Sequence, residues 1–179
     1  MKWKRPLPVE GRGREETFIN ARIQEAPLRL VEYVVREDRP YSEILTSRTM
    51  PINGPLLHWK ENFSFKGGTL LISDRDHGHV NAEALDLPTD AWDSWANVEL
   101  DERHAGILTS YFYLLKWQTN RGRANAFYNM FMCKSFAPPT EGLPASDDPS
   151  VNENNLTHRK GCQTCHRALE PMAAYWGHW

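Results

Sequence analysis

Residues 14–36 read Arg14-Glu15-Glu16-Thr17-Phe18-Ile19-Asn20-Ala21-Arg22-Ile23-Gln24-Glu25-Ala26-Pro27-Leu28-Arg29-Leu30-Val31-Glu32-Tyr33-Val34-Val35-Arg36. Phe18, Ile23, Leu30 and Val34 recur at roughly helical spacing among Glu, Gln and Arg, which predicts an amphipathic helix. Pro27 lacks a donor N–H and crowds the preceding turn, so either a kink or two abutting helices is expected, the second starting near Pro27. Arg39-Pro40 closes the unit, and Tyr41 to Leu45 can form one further turn with Ser42 as its cap.

Further along, Ile107, Tyr111, Leu114 and Leu115 form one face between Asp101 and Trp117. Ala124, Phe127, Met130 and Phe131 do the same between Arg121 and Cys133, and two packed helices are expected there. Between Met50 and Asn97 the periodicity dissolves into Pro51, Asn53-Gly54-Pro55, Gly67-Gly68 and Pro88. That stretch reads as loop, with Thr69-Leu70-Leu71-Ile72 as a short strand. Phe136 to Asn155, rich in Pro, Ser, Asp and Asn, reads as an extended connector. The fold class is therefore mainly α with long loops. A helical scaffold or docking region occupies 1–140, with a long loop at 59–100. A connector follows at 141–160, then a segment of different character at 161–179, all in one compact unit. No internal repeat is present.

The chain has 179 residues, 40% of them hydrophobic, enough for one medium domain with an extension. Lys plus Arg number 21 against 23 for Asp plus Glu, a formal charge of −2, which argues against a nucleic-acid binder. Seven Trp, six Tyr and seven Phe supply flat rings suited to buried contacts or to a planar cofactor. No apolar run reaches membrane-spanning length, so no transmembrane segment is expected. The basic start from Met1 to Arg5 leads into Leu7-Pro8-Val9-Glu10 instead of an apolar core, and no secretory signal is read there.

Cys162-Gln163-Thr164-Cys165-His166 is a C-x-x-C-H pattern, the haem c attachment spacing. Two thiols three positions apart at a helix start can add to the two vinyl groups of one haem. The next residue's imidazole then lies under the iron as proximal ligand. A zinc site would need two further Cys or His ligands, and the nearest cysteine is the isolated Cys133, read as a buried thiol within its helix. A thioredoxin-like dithiol would need a βαβ context, which is missing.

Several short runs fall in one order around this motif. Val35-Arg36-Glu37-Asp38-Arg39 precedes Ile44-Leu45-Thr46. Arg103-His104-Ala105-Gly106-Ile107-Leu108-Thr109 follows, then Phe131-Met132-Cys133 leading to Pro138-Pro139, then Cys162 to His166 with Leu169-Glu170-Pro171. In this the stretch from about Glu15 to Pro171 resembles the C-terminal region of the large planctomycete-type cytochrome-c proteins, whose tail domains have no assigned function. The resemblance implies one covalent haem c held by Cys162, Cys165 and His166. The chain departs from that family in stopping at Gly177-His178-Trp179 and in the loop from Trp59 to Leu100. Covalent attachment takes place outside the cytoplasm, so a periplasmic or extracytoplasmic location and a longer precursor are expected.

The second axial ligand is open. Met172 lies six residues beyond His166, roughly 9 Å along the same side at 1.5 Å per residue, and does not easily cross a porphyrin. His77 and His79 flank Gly78, which leaves the backbone free to approach a flat ring, and they are the favoured candidates. His178, His158, Met130 and Met132 remain, the two methionines at ordinary core spacing. Asp74-Arg75-Asp76 does not meet the calcium-loop spacing. No hydrolase or kinase signature stands out.

An electron-transfer subunit is the first reading. It needs other redox proteins or haem subunits as partners, since a single haem moves one electron. A haem peroxidase or oxidase with an open iron position is the second, and a structural haem-stapled module of a larger redox assembly is the third.

Overall fold

Pro27 does not divide the first helix. In the computed structural model a single helix α1 runs over Glu15–Arg36 with the proline inside it. Its buried stripe is Ile19, Ile23, Ala26, Leu30 and Val34, with Phe18 40% exposed on the flank. Apolar residues on both sides of Pro27 are thus buried, Ile19, Ile23 and Ala26 in the main core and Leu30 and Val34 in a smaller cluster beside it, which offsets the hydrogen bond that the ring removes. Described by the structure are residues 2–3, 15–64, 85, 87–136, 142, 145 and 147–177. They fall into two compact units, Met1–Lys116 and Trp117–Trp179, so that the second of the two expected central helices belongs with the C-terminal segment.

In the first unit, the short helix α2 (Glu43–Thr46) has Ser42 at its cap position, but the Ser42 side chain makes no capping bond. Instead the Ser42 carbonyl accepts the Thr46 N–H and hydroxyl. The loop expected from Met50 to Asn97 is corrected at both ends. Strand β2 (Thr49–Asn53) pairs antiparallel with β4 (Trp95–Glu99), Met50 opposite Val98 and Ile52 opposite Ala96. Helix α3 (Gly54–Asn62) follows β2 directly and leads to β3 (Phe63–Ser64), which pairs with β1 (Lys2–Trp3). Pro51 is tolerated because a two-stranded sheet has only edges. The Thr69–Ile72 strand lies outside the described residues.

Asn53, Gly54 and Pro55 read as loop punctuation, yet they form a strand-to-helix joint. The Asn53 side chain caps α3 by accepting the Leu56 N–H at 3.1 Å, and its amide donates to the Trp92 carbonyl at 2.8 Å. A side chain at Gly54 would collide with the Pro88 carbonyl, 1.8 Å from the position of its Cβ. The core of this unit joins Ile19, Ile23, Met50, Ile52, Leu56, Trp59, Val98 and Tyr111. Leu30, Val34 and Ile44 form a smaller cluster.

The helix expected over Asp101 to Trp117 starts later than its periodicity suggests. Asp101 turns back to accept the Arg103 N–H, and Gly106 sits at φ +48°. Only a 3-10 turn (Gly106–Thr109) and then α4 (Tyr111–Lys116) follow. Tyr111 and Leu114 of the expected face are buried.

In the second unit, α5 (Asn120–Phe131) begins at Thr119, whose hydroxyl accepts the Gly122 N–H at 3.0 Å. Arg123 is buried but partnered, donating to the Trp117 carbonyl at 2.8 Å and to Asn120 at 2.9 Å. Two expectations fail at the far end of this helix. Met130 and Met132 are exposed, at 47% and 57%, and Cys133 is exposed at φ +50° beyond the last turn instead of buried within it. The connector contains a 3-10 turn (Pro149–Asn152) capped by Asp148. Helix α6 (Gln163–Ala174) packs against α5.

Candidate functional site

The turn before α6 is tied down at several points. Asn155 accepts the Thr157 N–H, Arg159 reaches the Glu153 carbonyl at 2.6 Å, and Gly161 takes the positive φ that turns the chain into the helix. The Arg159 carbonyl then accepts the N–H of both Cys162 and Gln163. Arg167 reaches back from α6 to the Thr157 carbonyl at 3.2 Å. The result places Cys162 at the N-cap of α6 with its side chain uninvolved in capping.

From that point 3.6-residue geometry does the rest. Cys162, Cys165, His166, Leu169, Ala173 and Trp176 share one stripe of the helix. Leu169, Ala173 and Trp176 are buried, and Cys162, Cys165 and His166 are half-buried at the N-terminal end of the stripe. No disulfide joins the two cysteines. Pro171 lies inside the helix, which continues to Ala174, so Met172 stays on the same element as His166.

His166 is not isolated. Its Nδ1 lies 2.7 Å from Oε1 of Glu170, one turn on, and the same oxygen accepts Nε of Arg121 at 2.7 Å. The Arg121 guanidinium, and after it the His166 ring, hold the Glu170 carboxyl below its ordinary range. Glu170 is therefore the charged acceptor, and the ring nitrogen beside it carries the proton. The Tyr128 hydroxyl donates to the Ala168 carbonyl at 3.4 Å, a second link from α5 to α6. An open cleft of about 370 Å³ adjoins the carboxylate, lined by Thr119, Asn120, Arg121, Glu170, Ala173 and Ala174.

Half-buried thiols at the first and fourth positions of a C-x-x-C-H run, on an apolar stripe, with the following histidine already bonded through Nδ1, are a donor set that can hold a haem c. Among the described residues no three or more His, Cys, Asp and Glu side chains converge, so these residues assemble no tetrahedral zinc site. The distal candidates His77, His79 and His178 lie outside the described residues. His158 is exposed on the turn before Cys162. The four-residue spacing of His166 and Glu170 is itself a sequence signal for their pairing on a helix. Arg121, 49 positions from Glu170, left none.

No family model, no curated protein and no solved structure matches the chain. Among the described residues, no helix is long and apolar enough to cross a membrane.

Proposed function

We propose that the chain is a c-type cytochrome electron-transfer subunit carrying one haem c, linked through Cys162 and Cys165 and ligated on one face by His166. The observation that carries this reading is the placement of both thiols and the imidazole on one helix stripe, with His166 Nδ1 bonded to Glu170. Each thiol adds its S–H across a vinyl group, so attachment needs no oxidant. When bound, the haem supplies one-electron chemistry at its iron. The chain's own residues do the rest. Cys162 and Cys165 fix the ring edge, His166 offers Nε2, and Leu169 continues the apolar stripe that keeps water away. A second ligand would come from His77 or His79, then from His178, since Met172 stays on the helix that carries His166. A single haem requires a redox partner, either another haem subunit or a redox enzyme, in an extracytoplasmic compartment.

Extraction of the purified protein with acid acetone tests attachment. Pigment that stays with the polypeptide is expected, and pigment passing into the organic phase would defeat the reading. A Cys162→Ala, Cys165→Ala double variant should carry no covalent haem.

One observation favours a second reading, a peroxidase or oxidase with an open iron position. A carboxylate hydrogen-bonded to a ligating imidazole makes the imidazole a stronger donor. Carbon monoxide separates the two: an unchanged low-spin spectrum supports electron transfer, and a bound complex supports catalysis.

A further inference from the structure

The shared oxygen of Glu170 has a consequence for His166 that the haem motif by itself does not contain. Oε1 accepts from a guanidinium that is always protonated and from the ring nitrogen of His166, both at 2.7 Å. An ionised carboxylate has no proton to give, so Nδ1 of His166 must be the donor, and in the neutral ring that leaves the lone pair on Nε2. The two contacts come from different elements. Glu170 and His166 stand one turn apart on α6, whereas Arg121 belongs to the first turn of α5. The His166 side chain is 21% exposed and that of Glu170 30%, so water competes only partly for these bonds.

We propose that Glu170, clamped by Arg121, is a positioning pair that fixes the tautomer and the donor strength of His166. This inference rests on the haem reading in so far as it concerns the iron. Glu170 acts as hydrogen-bond acceptor: it aims the ring, keeps Nε2 as the ligating nitrogen and pushes electron density into the imidazole. Arg121 opposes part of that push, because it draws on the same oxygen. The two residues therefore tune His166 in opposite directions. Removing the charge of Glu170 weakens the donor and raises the midpoint potential of the iron. Removing Arg121 leaves the full carboxylate charge to His166 and lowers it.

The test uses the full chain as purified, stained first for covalent haem. If haem is present, midpoint potentials are measured for the wild type, Glu170→Gln, Arg121→Ala and Arg121→Lys. A rise for Glu170→Gln, a fall for Arg121→Ala and a return towards wild type for Arg121→Lys are expected. Shifts of the same sign in both, or no shift in either, overturn the proposal even if all variants melt at lower temperature. If haem is absent, the haem reading fails separately. Nitrogen-15 spectra of the neutral His166 ring then decide the positioning role. An Nδ1–H tautomer in the wild type and in Glu170→Gln, lost in Glu170→Ala, supports it. A tautomer indifferent to Glu170→Ala overturns it.

Discussion

Gly106 and Ile44 approach so closely that a β-carbon on Gly106 would stand 2.2 Å from the Ile44 carbonyl oxygen. The approach is fixed by the Gly106 N–H, which donates to the Ser47 carbonyl at 2.6 Å, and by a backbone held at φ +48°. The contact joins the end of α2 to the turn that precedes α4.

Gly106→Ala should accordingly destabilise the first unit by roughly 3 kcal/mol or more, combining left-handed backbone strain with a steric conflict against backbone atoms that cannot rotate away. Urea denaturation followed by tryptophan fluorescence measures it. A midpoint equal to wild type would show that α2 and the turn can separate without cost.

His104 is buried, and burial depresses its pKa from 6.5 to about 4, with hydrogen bonding to the Thr49 backbone working the other way. Its Nδ1 lies 2.9 Å from the Thr109 hydroxyl oxygen, which also accepts the Ala105 N–H at 2.7 Å. The hydroxyl proton thus goes to Nδ1 of a neutral ring. Because the folded pKa is the lower one, the unfolded chain binds more protons between pH 6.5 and 4. Stability should be fully present above 6.5 and fall as the pH drops to about 4, by up to about 3 kcal/mol. The difference in unfolding free energy between wild type and His104→Gln, followed across that range, should show the slope; a constant difference would refute it.

Asn53 performs two tasks with one side chain, so two substitutions separate them. Asn53→Asp keeps the acceptor for the Leu56 N–H but loses the donor to the Trp92 carbonyl, whereas Asn53→Ala loses both. Alanine is expected to cost about 2 kcal/mol, and aspartate at neutral pH at least as much, because its charge would be buried against the Trp92 carbonyl oxygen. An aspartate variant that melts with the wild type would show that the bond to Trp92 contributes nothing.

Thiol labelling of the native chain distinguishes the three cysteines. Cys133 is exposed beyond the end of α5 and should react rapidly with iodoacetamide. If Cys162 and Cys165 are thioether-linked, mass spectrometry after denaturation should show one alkylated thiol and no more. Three alkylated thiols would contradict attachment.

By itself, the sequence determined those features that depend on near neighbours. The C-x-x-C-H spacing places its thiols and imidazole on one stripe as soon as α6 forms, and the periodicity of residues 14–36 marks that stretch as helical. Only the tertiary structure decided the rest. Pro27 remains inside one helix because both halves of its apolar stripe are buried, one in the main core and one in the cluster with Ile44. Asn53-Gly54-Pro55 starts a helix because residues 88–92 close over it. Met130 and Cys133 lie outside although their spacing fits a core, since a period of 3.6 names a face without saying whether anything covers it. The same limit applies at the site. Glu170 lies within one turn of His166 and its reach is written in the spacing. Arg121 meets that carboxylate only because α5 packs against α6, and a contact across 49 residues is set by packing, not by local propensity.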